Sequence, residues 1–174
     1  MYNIKLQTDR LTIVPLSIDE LELLIEDITE FETKLDLVYK GENLNGHLLD
    51  VIKYQYKKMQ AELENYLWRT FWFFVLKNEK TIIGSAGFRS APDIEVSVEI
   101  GYGINEAYQN KGYTTEAVAS ICTWALAQNG IKNITAKTDK NHIASQRVLE
   151  KCGFKLNSET TAAIYLYSFR EINA

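Results

Sequence analysis

From Ile94 to Thr138 the chain reads as a strand, a polar turn, a helix and a second strand, and few folds accommodate that order. "IEVSVEIGYGI" (Ile94–Ile104) alternates apolar with polar or small residues, the period of a strand with one covered face. The polar stretch "NEAYQNKG" follows, and from Gly112 to about Gln128 the apolar residues recur at helical spacing, closed by Asn129-Gly130. "KNITAKT" (Lys132–Thr138) then reads as a short strand. A strand that returns through a helix to the same sheet runs parallel to the first, with a right-handed crossover.

The preceding segment imposes the opposite sense. "FWFFVL" (Phe71–Leu76) and "TIIGSAGF" (Thr81–Phe88) flank "NEK" as a hairpin, and Pro92 and Asp93 mark the next turn, so these strands form an antiparallel meander with Ile94–Ile104. Nearer the N-terminus, Arg10–Leu16 reads as a first strand. Ser17 and Glu20 have capping-box spacing before a helix running through Leu21, Leu24, Ile25 and Ile28. Residues 32–47 read as a loop and Leu48–Leu67 as a second helix. Ala144–Lys151 is a helix stopped by Cys152-Gly153, and "FKLN" and "AAIYLYSF" are two final strands. The aromatic run "YLWRTFWFF" (Tyr66–Phe74) reads as core entering a strand. The order predicts an α/β (α+β) fold: one mixed, mostly antiparallel sheet of about seven strands, with helices on its faces.

Length and charge narrow the function. The 174 residues fit one domain, 1–174, large enough to bury a core without disulfides or metal. A formal net charge of −4 carries no nucleic-acid footprint. No apolar run approaches the roughly 20 residues of a membrane span, and "MYNIKLQTDRL" lacks a signal-peptide core, so the cytoplasm is the expected location. Cys122 and Cys152 stand apart with no CxxC, as reduced thiols. His47 and His142 are too scattered for a zinc site, so no metal is expected.

The chemistry concentrates where the polar stretch enters the helix. The first backbone N–H groups of a helix have no intrahelical partner, and with the helix dipole they attract anions. Gly112 lets a ligand approach without a Cβ in the way, while Gln109, Asn110 and Lys111 add donors and a positive charge. A phosphate or pyrophosphate is the expected guest. "GYGINE" is not GxGxxG, because Glu106 stands at the last position, and no P-loop occurs, so a nucleotide-binding module is unsupported. On residues alone, an anion site and a helix start with an incidental glycine remain equally open.

"VEIGYGINEAYQNKGYTTEAV" closely resembles the coenzyme A-binding segment of GCN5-related N-acetyltransferases, with Gln109, Gly112 and Thr114 on its Q-x-x-G-x-(G/A) element. "TDRLTIVPL", "IIGSAGF" and "ASQRVLEKCGF" resemble, in order, the opening strand, the second meander strand, and the last helix and turn of the RimJ/RimL branch. The resemblance spans Thr8 to Phe169, except about residues 32–70. It implies the GNAT fold, splayed between strands four (Ile94–Ile104) and five (Lys132–Thr138), and acetyl-CoA as cosubstrate. It places pantetheine beside Tyr102, Gly103 and Ile104, the pyrophosphate on Gln109, Asn110, Lys111, Gly112, Tyr113 and Thr114, and Asn141 and Ser145 near the coenzyme.

The implied reaction is acetyl transfer to a primary amine, a protein N-terminus or a small amine, directly in a ternary complex; a homodimer is kept as a candidate assembly. Such transfer needs a neutral amine, an oxyanion donor and a proton for the thiolate. Glu99 is the expected base, with Glu95 and His142 as rivals. The N–H of Tyr102 or Gly103 is the expected oxyanion donor. The tyrosine many relatives carry before the terminal Gly-Phe is Leu149 here; Ser145, which aligns with a serine common in the RimJ/RimL branch, is by that resemblance the expected acid. Relatives usually carry asparagine where His142 stands, which shifts that function to Asn141. A coenzyme A-binding regulatory domain without transferase activity is the alternative.

Overall fold

The computed structural model describes residues 4–92, 97–159 and 164–170. Nine strands lie in one sheet among the described residues: β1 (Leu6–Gln7), β2 (Leu11–Pro15), β3 (Val38–Tyr39), β4 (Phe71–Leu76), β5 (Thr81–Phe88), β6 (Ser97–Ile104), β7 (Asn133–Asp139), β8 (Lys155–Glu159) and β9 (Ile164–Arg170). Their order is β1-β2-β4-β5-β6-β7-β9-β8, with β3 beside β5. All neighbours are antiparallel except β6/β7 and β3/β5. The parallel β6/β7 pair is the one that the strand–helix–strand pattern required.

Two strands exceed the expected seven. Both β1 and β3 have two residues, too short to leave a period in the sequence. The N-terminal helical region is also more divided than its spacing suggests. The Ser17–Glu20 capping box forms and starts α1 (Ile18–Glu26). Asp27 then breaks the run, because its carboxylate caps the amides of Thr29 and Glu30 and starts α2 (Ile28–Leu35), part of it where a loop was expected. The second helix is α3 (Gly46–Ala61), followed by a 3-10 turn (Leu63–Asn65) and the single-turn α4 (Tyr66–Arg69). Both crossover helices, α5 (Tyr113–Leu126) and α6 (Ile143–Lys151), begin within one residue of their expected starts.

The sheet carries apolar residues on both faces. On one, α5 lays Ala117, Val118, Ile121 and Ala125 against Ile13, Phe74, Val98, Ile100 and Ile134. There Trp72 and Trp124 have ring centroids 4.6 Å apart, and Trp68 packs 5.0 Å from both Phe88 and Trp124, so the aromatic run is core. On the other face, α1, α2 and α3 bury Leu21, Leu24, Phe31, Ile52 and Met59 against Phe71, Phe73, Val75 and Ile82. Among the described residues no helix is long and apolar enough to cross a membrane. Strand β6 therefore presents even-numbered residues toward α5 and odd-numbered residues toward the α1–α3 side.

Candidate functional site

The sheet opens where the crossover begins. Among the described residues, pairing of β6 with β7 covers Ser97↔Asn133, Val98↔Ile134 and Glu99↔Thr135; β7 continues along β9 to Asp139 while β6 follows β5 to Ile104. Two hydrogen bonds fix the orientation of the β6 backbone. Arg89 N–H donates to Glu99 O (2.9 Å) and Asn105 N–H donates to Ile83 O (3.0 Å), in phase with the Gly87↔Gly101 and Ser85↔Gly103 pairs. Antiparallel strands alternate bonded and non-bonded pairs. The polar backbone groups of Glu99, Gly101 and Gly103 therefore face β5, whereas those of Ile100, Tyr102 and Ile104 face the opening. The result is an exposed strand edge three residues long inside the sheet, of the kind that an extended amide chain can pair with.

The opening leads to the start of α5. Gly112 is the N-cap, with φ 80° and no capping side chain, and Asn110 is also left-handed at φ 60°. Asparagine and glycine tolerate this region best, and the two turns leave the first α5 amides without a side-chain acceptor. A Cβ on Gly112 would lie 3.4 Å from Arg10 Nη2, so the absent side chain leaves a concavity beside a guanidinium. Arg10 is the residue that sequence reasoning missed here. Its Nε and Nη2 bind Glu116 Oε2 (2.7 and 2.6 Å), its Nη1 donates to Lys111 O (2.9 Å), and its guanidinium lies 4.4 Å from the Tyr113 ring centroid. Arg10 stands in "TDRL", whose pattern marks only the start of a strand; no local pattern shows that it meets α5.

Burial favours the protonated form of Glu116, but hydrogen bonds from Thr8, the Arg10 amide and the Arg10 side chain outweigh it, and the carboxyl lies below its ordinary value. Lys111 turns its ammonium to Ala107 O (3.0 Å), beside the Tyr108 ring. Gln109 is exposed on the rim. Thr114 is buried.

The N-terminus of α6 forms the far wall. Asn141 and His142 are exposed there, the Asn141 amide bonded to Asp139 Oδ1 (2.7 Å). Ser145 reaches across the opening: its Oγ is 3.0 Å from the Tyr102 hydroxyl, which also donates to Ser145 O (3.1 Å). Burial pushes the Tyr102 hydroxyl up to about 12, against a smaller lowering from the Ser145 hydrogen bond. Leu149 is fully buried. A phenol thus does stand at the opening, carried by β6 rather than by α6.

The odd face of β6 holds the carboxylates. Glu99 Oε2 accepts from Lys137 Nζ (2.7 Å), and Glu99 Oε1 lies 3.2 Å from Arg89 Nε. Above Gly101 no atom lies within 4 Å of where a Cβ would stand. At Gly103 the Glu42 carboxylate fills the space a Cβ would take. Burial pushes the Glu42 carboxyl above its ordinary value. Glu42 lies in a loop after β3 that carries no motif, so nothing in the sequence singled it out. Glu95, the rival base, lies outside the described residues.

A family model described as "Acetyltransferase (GNAT) domain" matches residues 10–155. The chain is 29% identical over 155 residues to an uncharacterized N-acetyltransferase, YjdG, of Bacillus subtilis (strain 168), covering 89% of this chain and 92% of the relative. Among solved structures it is similar to a ribosomal-protein-S5-alanine acetyltransferase from Vibrio fischeri (TM-score 0.72, 16% identity, 98% of each chain covered). It is also similar to RimL, a ribosomal L7/L12 alpha-N-protein acetyltransferase in complex with coenzyme A (TM-score 0.67, 14% identity, 96% of this chain and 98% of that one).

Proposed function

The chain belongs to the GNAT acetyltransferase family, and from that premise we propose that it moves the acetyl group of acetyl-CoA onto a primary amine, of a protein N-terminus or a small molecule, by direct transfer in a ternary complex. One observation carries the reading: an unpaired β6 edge that runs from the opening of the sheet toward a helix start relieved of its Cβ at Gly112. A pantetheine chain has amides for the first, and a pyrophosphate has charge for the second. The coenzyme A in the RimL complex supports the choice of ligand.

Roles follow from which groups face the opening. The backbones of Tyr102 and Ile104 pair with pantetheine. Gly103 has its polar groups committed to β5 and contributes a missing side chain instead. The amides of Asn110 through Thr114 hold the pyrophosphate, while the Gln109 amide donates to Glu106 O (3.1 Å) and leaves only its exposed side chain at the rim; Lys111 and Arg10 add charge there, with Tyr113 supporting Arg10. Asn141 meets the coenzyme from the α6 side. The bound coenzyme supplies an activated acetyl thioester. The Tyr102 amide polarises its carbonyl, and the Ser145 hydroxyl, backed by the Tyr102 phenol, protonates the departing thiolate. A base on the odd face of β6 receives the amine proton. Glu99, the expected base, has both carboxylate oxygens engaged by cations, Oε2 by Lys137 and Oε1 by Arg89.

Acetyl-CoA stabilises only the folded chain, so at 100 times its Kd it should add about 2.7 kcal/mol of stability, read as a rise in Tm. NAD and ATP share its pyrophosphate or phosphates but lack pantetheine, and should act much more weakly. Equal stabilisation by all three removes the pantetheine half of the reading. Turnover with an alanine-starting peptide, spermidine or kanamycin then separates a transferase from a coenzyme A-binding regulatory domain, which would show stabilisation alone.

A further inference from the structure

We propose that Glu42 is the catalytic base, taking the proton from an acceptor amine that reaches the acetyl carbon over Gly101. The inference rests on the transferase reading above and adds the residue and the approach path.

Geometry carries it. Gly101 and Gly103 lie on the same face of β6, two residues and roughly 7 Å apart. The Glu42 carboxylate rests on Gly103, and the space over Gly101 is open. Tyr102, whose amide faces the opening, lies between them. An amine nitrogen over Gly101 therefore has a thioester held at Tyr102 next to it and the Glu42 carboxylate further along the same face, within reach through one water. Both absent side chains are accounted for: a Cβ at Gly103 would displace the carboxylate, and one at Gly101 would narrow the approach.

Glu42 is also held in place. Its backbone carbonyl accepts from the Tyr39 hydroxyl (2.8 Å), Asn105 Nδ2 donates to Gly41 O (3.1 Å), and Lys40 N–H donates to Ile82 O (2.8 Å). The loop is thus tied to β5 and to the residue after β6. Among the described residues the carboxylate itself has no hydrogen-bond or ion-pair partner, in contrast to Glu99 with Lys137 and Arg89. Burial, which raises its proton affinity, suits it to receive a proton from an ammonium group.

The step balances. Glu42 accepts the proton of the ammonium form. The freed nitrogen lone pair bonds the acetyl carbon, and the carbon–sulfur bond breaks. The thiolate takes the Ser145 proton, and Ser145 recovers one from Tyr102 or solvent. The second proton lost by nitrogen and the one held by Glu42 both leave to solvent, solvent returns one to the Ser145–Tyr102 pair, and one proton is released per turnover.

The test compares Glu42→Gln and Glu99→Gln in the intact chain, with alanine-starting peptide, spermidine and kanamycin as acceptors and acetyl-CoA binding measured separately by calorimetry. Glu42→Gln should lower kcat by about 10²-fold or more, within the range for a lost general base, with acetyl-CoA affinity within twofold of wild type. Glu99→Gln should lose less than about tenfold. Gly103→Ala, which displaces the carboxylate without changing it, should reproduce the kcat loss. Wild-type turnover in Glu42→Gln, or a larger loss in Glu99→Gln, overturns the assignment and leaves the transferase reading standing. Failure of the wild type to bind acetyl-CoA overturns the coenzyme reading and Glu42 with it. Binding without turnover of any acceptor removes the acceptor reading and its base together.

Discussion

Gly112→Glu should abolish acetyl-CoA binding in a chain that still folds. The substitution acts in two ways at one point. It puts a carboxylate where the α5 amides and the Arg10 guanidinium converge, and its Cβ starts 3.4 Å from Arg10 Nη2. The new carboxylate would stand beside an Arg10 already paired with Glu116, compete for its guanidinium, and repel a pyrophosphate. It would also hold a non-glycine residue at φ 80°, a cost of about 1–2 kcal/mol. That cost is small beside the 5–15 kcal/mol of a typical domain, so circular dichroism should be unchanged. Calorimetry should show at least a ~100-fold weaker Kd, since loss of a charged contact and gain of a repulsion each contribute more than 1.4 kcal/mol. Gly112→Ala carries the strain without the charge and should fall between the two. Affinity within about threefold of wild type for the glutamate variant would remove this helix start from the site.

Tyr102→Phe and Ser145→Ala should each lower kcat by about tenfold, while the double variant falls little below the worse single one. The two hydroxyls lie 3.0 Å apart across the opening of the sheet. If they pass one proton to the thiolate in series, losing either interrupts the same path, and coupled residues are non-additive. A thiolate with an ordinary pKa near 8.5 leaves tolerably without a proton, which holds the effect below the roughly 10²–10⁴-fold usual for a general acid. Tyr102→Phe keeps the strand amide in place, so it separates the phenol from the backbone role proposed for the same residue. The Michaelis constant for acetyl-CoA should change little in either variant. Losses that multiply in the double variant would mean that the hydroxyls act independently, and the series path would be wrong.

Much of the frame was legible because it depends on local rules. The Ser17–Glu20 capping box, the hairpin of β4 and β5, the glycine starting α5 and the helix before Cys152-Gly153 each follow from a few adjacent residues. The parallel β6/β7 pair followed from one added constraint, the handedness of the crossover. The break at Asp27 is not legible in the sequence because a helical apolar period continues across it, and only its capping of Thr29 and Glu30 splits the run. Tyr102 was read for its backbone alone, since the strand period places its side chain on a face without naming what that face meets.

What the sequence by itself determined about this protein is its periodicity, its caps and the positions where a glycine must bend or bare the backbone; these depend on the conformation of neighbouring residues. Tertiary structure decided which distant groups share a site. Arg10 reaches Glu116 across 106 residues, and Tyr102 reaches Ser145 across 43. Glu42 comes to rest on Gly103 because Lys40 and Asn105 tie its loop to β5 and to the end of β6. Such contacts are set by how helices and loops stack on the two faces, which is a property of shape and burial over the whole core, and so leave no mark at fixed spacing in the chain.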